Sequence, residues 1–186
     1  YTLTLARSSS LPNERQEKMT TATALDLDSM TTGEAKLVLD KVIKQIAEQT
    51  GEILIASDDV KIIAYAIENN LQLRDYLMGL TSDGLSVESV ANILRVMVVL
   101  LNSAELPAYP VETVLASYKY RLGDSEAVLM LANGLARNYS LAQLLQRVFN
   151  AGWPVESFEK MSNELHAKVL AELTRTQELA VNEANR

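Results

Sequence analysis

From residue 31 onward apolar residues return every three or four positions, the period of a helix with one buried face. Thr31 with Glu34 three residues later has the form of a capping box. Leu37, Val38, Val42, Ile43 and Ile46 continue the stripe to a stop near Gly51. A second helix is predicted from Ser57 or Asp58, where acidic groups suit the positive end of the helix dipole. It carries Val60, Ile63, Ala64 and Ile67 and ends at Asn69-Asn70. A shorter third spans Leu71–Leu80, and the turn Ser82-Asp83-Gly84 leads to a fourth from Ser86 to Asn102. That fourth helix is apolar nearly all round at Val96–Leu101 (VMVVLL), the pattern of a helix central to a core.

Pro107 and Pro110 bracket a loop. Further helices are predicted over Val111–Leu122, Asp124–Arg137 and Ser140–Asn150. After Ala151-Gly152-Trp153, Pro154 stands where a first helical turn tolerates proline. Val155, Phe158, Met161, Leu165, Val169 and Leu173 mark the apolar face of a last helix, whose polar end is expected to fray over residues 183–186. One strand-like run, Glu52–Ala56, is too isolated to build a sheet. Residues 1–30 are rich in Ser and Thr, lack sustained periodicity and read as a flexible lead-in. Glu14–Lys18 can all be written with purine-rich codons, the look of a translated ribosome-binding site. On that reading Met19 is the natural start and residues 1–18 are not native.

The expected fold is therefore all-α: a compact bundle of seven or eight helices over residues 31–182, with a hairpin-like stack at its C-terminal end. Composition agrees. Glycine (7) and proline (4) are scarce, 48% of residues are apolar and only 5% aromatic, so the core is expected to be aliphatic. With 186 residues the chain suits one domain. It has no cysteine, which excludes disulfides, thiolate metal sites and a cysteine nucleophile. A net charge of −7 argues against a nucleic-acid surface, because the 17 Lys and Arg are nowhere concentrated. No apolar run approaches the roughly 20 residues that a membrane crossing needs. No secretory signal pattern is present either, so a soluble, cytoplasmic protein is the expectation.

Candidate chemistry is thin. Gly123-Asp124-Ser125 could be a nucleophile loop, but serine hydrolysis needs a base, and the one histidine, His166, lies among Glu164, Lys168 and Glu172 with nothing linking it to Ser125. The better reading is a helix stop at Gly123 followed by an N-cap at Asp124. Asp26, Asp28, Asp58 and Asp59 are the densest acids and do not continue into a calcium loop; no glycine-rich phosphate loop is present. Residues 84–97 have the outline of a helix-turn-helix entry, yet Arg95 is the only nearby cation, so a core helix is favoured. Tyr65, Tyr76, Tyr109, Tyr118, Tyr120, Tyr139 and Trp153 are expected at the core boundary, with hydroxyls reaching water. Arg74-Asp75 reads as a structural ion pair.

The stretch from Gly123-Asp124 through Ala127, Leu131, Gly134 and Leu135 to Tyr139-Ser140 resembles a tetratricopeptide-type helical hairpin, without a second copy at a fixed period. A closer likeness rests on Leu73-Arg74-Asp75 with Leu77, on Tyr118–Asp124 (YKYRLGD), on Asn138–Ala142 (NYSLA) with Leu144 and Leu145, and on Ala151–Pro154 (AGWP). In that order these words resemble a family of uncharacterised actinobacterial proteins, domain of unknown function 4192, over roughly residues 58–158. Two features depart from it. Ala136-Arg137-Asn138 stands where members often carry Asp-Pro, and members are usually longer, with an α/β half before the helical region. The resemblance implies an architecture and transfers no catalytic residue.

The sequence thus points to a helical protein–protein interaction module that acts on another protein or by self-association, with the last helix as oligomer contact. The alternatives are the helical part of an enzyme, and a DNA-linked regulator. A phage or actinobacterial origin fits the resemblance. Candidate interaction or charged residues are Arg74, Asp75, Arg121, Trp153 and Phe158; no catalytic, cofactor-binding or metal-ligating residue is assigned, and no cofactor is expected.

Overall fold

A computed structural model describes residues 26–49, 51 and 53–184, with side chains up to residue 175. Expectations that fall on residues 1–25, including a start at Met19, lie outside the described residues. Among those described, eight α-helices and no strand are found: α1 Thr32–Glu48, α2 Ser57–Asn69, α3 Leu71–Met78, α4 Val87–Ser103, α5 Tyr109–Arg121, α6 Ala132–Ala136, α7 Ser140–Asn150 and α8 Val155–Ala184. Short 3-10 turns cover Leu80–Asp83, Ser125–Ala127 and Leu129–Leu131. No helix among the described residues is long and apolar enough to cross a membrane.

Local chemistry fixes the helix starts. The Thr31 hydroxyl accepts from the Glu34 amide at 3.2 Å, and the Glu34 carboxylate accepts from the Thr31 amide at 2.8 Å, which completes the capping box. Those bonds hold the Glu34 carboxyl below its ordinary pKa. Asn70 closes α2 and opens α3 at once, its side chain accepting from the amides of Gln72 and Leu73. Residues 53–56 are extended, with Ile53 and Ile55 buried and Leu54 exposed, which explains the strand-like look of that run.

Four of the stops share one device. In α5 the Asp124 amide donates to the Lys119 carbonyl and the Gly123 amide to that of Tyr120, a Schellman motif with Gly123 in the left-handed region at φ 70. α7 ends likewise at Gly152, φ 62, with Trp153 bonded back to Val148. α4 and α6 make the same pair of bonds with non-glycine residues in the left-handed position, Glu105 at φ 58 and Asn138 at φ 56.

The core is aliphatic, as expected, but its centre is not α4. That helix keeps Glu88, Ser89, Asn92, Arg95 and Val99 on an exposed face. The central helix is α5, in which no residue is exposed: nine are buried, including Val111, Val114, Leu115, Ala116 and Tyr118, and the rest are half-buried. It packs chiefly on α4 and also meets α2, α3, α6, α7 and α8. Its polar positions misled the pattern. Thr113 and Ser117 are fully buried, and their hydroxyls donate to the helix's own carbonyls at Tyr109 (2.8 Å) and Val114 (2.7 Å).

The helix expected over Asp124–Arg137 is broken into two 3-10 turns and the five-residue α6. Ala127, Leu131 and Gly134 face inward at helical spacing although the winding is not that of one continuous helix. Gly134 marks a close approach, since a methyl group there would lie 2.8 Å from the Ala142 Cβ and 2.9 Å from the Thr113 Oγ1. The final residues of the expected lead-in are also tied down. Leu27 and Met30 pack against the core, and the Tyr65 hydroxyl donates to Asp28 at 2.7 Å.

A left-handed residue with a Cβ is strained by about 1–2 kcal/mol, partly offset by the greater unfolded-state freedom of glycine. Glu105→Gly is therefore expected to stabilise the fold by about 1 kcal/mol and raise Tm by about 2–4 °C. Asn138→Gly should gain less, because asparagine tolerates that conformation. Thermal unfolding followed by circular dichroism checks both the sign and the order.

Candidate functional site

The most densely bonded polar cluster among the described side chains lies where α8 crosses the turn Leu80–Asp83. Three consecutive residues of that turn reach out. Thr81 Oγ1 accepts from both terminal nitrogens of Arg121 at 3.3 Å, Ser82 Oγ donates to Asn163 Oδ1 at 2.8 Å, and Asp83 Oδ1 lies 3.1 Å from His166 Nε2. Arg121, at the end of α5, also donates to Glu159 of α8 at 2.7 Å, and its guanidinium stands 5.2 Å from the centre of the Tyr118 ring. The pattern of α8 places Glu159, Ser162, Asn163 and His166 within two turns of one another, so a single crossing collects them.

His166 is the hub. It is 1% exposed and stacks on Tyr76 of α3, with ring centroids 5.3 Å apart and planes 20° from parallel. Nε2 faces a carboxylate and so carries the N–H; Nδ1 has no partner and lies against Gly79. The Gly79 approach admits no side chain, since a methyl group there would fall 2.3 Å from the His166 Cβ. Tyr76 extends the cluster to α1. Its hydroxyl donates to Asp40 at 3.0 Å, the other Asp40 oxygen accepts from Lys36 at 2.6 Å, and the Lys36 ammonium stands 4.5 Å from the Tyr76 ring centre. Burial first, and the Asp40 carboxylate second, push the Tyr76 phenol far above its usual range.

A histidine, a carboxylate and a tyrosine in contact can in principle move protons. Here His166 and Tyr76 are buried within the packing, and the bonds they make run between helices, so the visible chemistry is that of cross-linking α1, α3, α5 and α8. Other tyrosines do the same. Tyr109 donates to Glu68 (2.8 Å), Tyr118 to the Leu77 carbonyl (2.8 Å) and Tyr120 to the Trp153 carbonyl (2.6 Å). The expectation that these hydroxyls reach water is corrected for Tyr118, whose bond is buried; those of Tyr109 and Tyr120 are exposed and bind neighbouring elements as well. Tyr139 departs from the pattern, with a buried hydroxyl that has no bonded partner.

The residues singled out from sequence do not converge. Arg74 and Asp75 pair with each other at 2.6 and 2.8 Å on α3, as a structural ion pair would. Arg121 belongs to the α8 crossing. Trp153 is 41% exposed at the joint before α8, whereas Phe158 is fully buried and cannot face a partner in this conformation. The apolar stripe of α8 assigned to oligomer contact likewise turns inward through Phe158, Val169 and Leu173. Asp124 accepts from the Glu126 amide at 2.9 Å and bonds Lys119, which confirms the cap and draws the Asp124 carboxyl below its ordinary pKa, Lys119 being the larger cause. Ser125 is exposed beside that cap, and His166 pairs with Asp83 instead.

Asp83, Thr81, Gly79 and Glu159 were missed by sequence reasoning. Gly79, an isolated glycine inside a helical pattern, was the available signal of a close approach. Elsewhere, a shallow cleft of about 160 Å³ lies between the Leu27–Thr32 segment, α2 and the start of α3, floored by Met30, Ala35, Ala66 and Leu73. It falls short of the ~300–1,000 Å³ usual for small-molecule pockets.

Gly79→Ala is expected to cost about 1–3 kcal/mol or more through overpacking. His166→Gly in the same chain, which removes the Cβ as well as the ring, should recover part of that loss, a coupling of about 0.5–3 kcal/mol in a double-mutant cycle. Additive losses would show that the two do not meet. The tyrosines give a pH test. Burial raises Tyr76 and Tyr118 well above the ordinary value of 10.0, and burial with the Glu68 bond pushes Tyr109 up to about 12. The folded state thus holds these protons after the unfolded state has lost them. Stability is fully present below the ordinary value and falls as pH rises beyond it. Tyrosinate absorbance from Tyr76 and Tyr118 should appear together with loss of helical signal in an alkaline titration.

Compared with family models, with curated proteins and with solved structures, the chain gives no match.

Proposed function

We propose that this chain is a helical module that works by binding another protein. The observation that supports the reading most is the segment joining α5 to α6. Leu122, Val128 and Leu129 are 40%, 45% and 73% exposed there, yet the backbone carrying them is held fast. The Gly123 stop, the Asp124 cap and its bond to Lys119 fix one side, and buried Ala127 and Leu131 anchor the other. Large apolar side chains displayed on a rigid turn lose little entropy when a partner covers them. The likeness of residues 58–158 to the helical half of the actinobacterial family is in keeping with this reading. The segments YKYRLGD, NYSLA and AGWP that carry it coincide with helix stops, at Gly123, Asn138 and Gly152.

The test is capture from cells of the natural source, quantified by mass spectrometry. Val128→Asp with Leu129→Asp is expected to keep the fold, within about 0.5 kcal/mol as for ordinary surface changes, and to lose the partner that the unaltered chain captures. Leu37→Asp, at an equally exposed position on α1, should leave capture intact. Equal capture by all three chains would overturn the proposal.

A further inference from the structure

We infer that α8 is a releasable cover, a helix that leaves the body formed by α1–α7 as a unit while that body stays folded. The inference stands on the polarity of its seat and is independent of the binding role proposed above. Along its inward face Phe158, Ser162, His166, Val169 and Leu173 are buried, so two of the five side chains are polar. Side-chain atoms buried without a partner concentrate there: Ser162 Oγ, His166 Nδ1 and Arg121 Nε, against Gln45 Oε1 and Tyr139 Oη elsewhere among the described residues. Each forfeits its bonds to water on docking and regains them on opening.

The polar bonds that tie α8 down are also replaceable by water. Side chains at their outer ends are part-exposed, Asp83 by 38% and Glu159 by 46%. By contrast α4 meets its neighbours through an apolar face that includes Val90, Leu94, Met97 and Leu101. The joint before α8 lies in solvent. Ala151, Gly152, Trp153 and Pro154 are all exposed; the backbone bonds of the α7 stop hold its near side, and the Tyr120 hydroxyl donates to the Trp153 carbonyl. An element with costly burial and exposed latches belongs to the low-stability end of a fold.

Hydrogen exchange of the intact chain, read by mass spectrometry in neutral buffer without denaturant, tests this. Amides of residues 158–173 are expected to exchange about ten-fold or more faster than the slowest amides of α4 and α5, as a sub-global opening requires. Ser162→Ala removes one unpartnered atom, leaves the Asp83 and Glu159 latches in place and should slow exchange in α8 while α4 and α5 hold their rates. Should that change abolish the helical signal, Glu159→Gln serves in its place. It weakens an outer latch and should speed α8 alone. Equal protection of α8, α4 and α5 in the unaltered chain overturns the inference, as does a Glu159→Gln change that speeds all three together.

Discussion

The fold depends on a helix that can be surrounded. α5 has neighbours on every side, and that position is open only to a helix whose polar groups need no water. Thr113 and Ser117 meet the requirement by donating to carbonyls one turn back, so they occupy little volume and leave no unpaired hydroxyl. Arg121 meets it in part at the far end, its terminal nitrogens reaching Thr81 and Glu159 while Nε stays without a partner. With α5 in place, α4 can spread an apolar face over it, and α3, α6, α7 and α8 each find a wall to pack against.

A second layer of order comes from tyrosines and helix stops. With few aromatics the chain cannot fix helix angles by ring packing alone, and phenol hydroxyls that bind acceptors on other elements supply direction. Tyr76 ties α3 to α1, Tyr118 ties α5 to α3, and Tyr120 ties α5 to the joint before α8. The Schellman stops at Glu105, Gly123, Asn138 and Gly152 set where each of four helices lets go. Because such a stop reverses the chain within a few residues, it also sets which helix returns beside which.

How legible this was varied with the range of the interaction. The capping box at Thr31–Glu34, the end of α2 at Asn69-Asn70 and the stop at Gly123 were readable because they involve residues within about four positions of each other. The Arg74–Asp75 pair was readable for the same reason. The α8 crossing was not, since Asp83 and His166 stand 83 residues apart and no periodicity records that distance. Tyr76 gave no hint that its hydroxyl would meet Asp40 on another helix. The broken helix after Asp124 shows an intermediate case. Its inward positions fall at the helical period, while the tighter winding over Ser125–Leu131 leaves no mark in that period.

By itself the sequence determined the all-helical class, the order and most of the bounds of the helices, and the aliphatic character of the core, because these follow from periodicity, capping and composition within a short window. Which helix lies at the centre was decided by tertiary structure. The apolar run of α4 marked it as central, yet burial on all sides fell to α5, whose hydroxyls look polar in sequence and are satisfied only once the helix has formed. Tertiary structure also decided the fate of Phe158 and His166. A side chain's neighbours across the fold set whether it faces a partner or the interior, and those neighbours are brought together only when α8 lies down on the turn Leu80–Asp83.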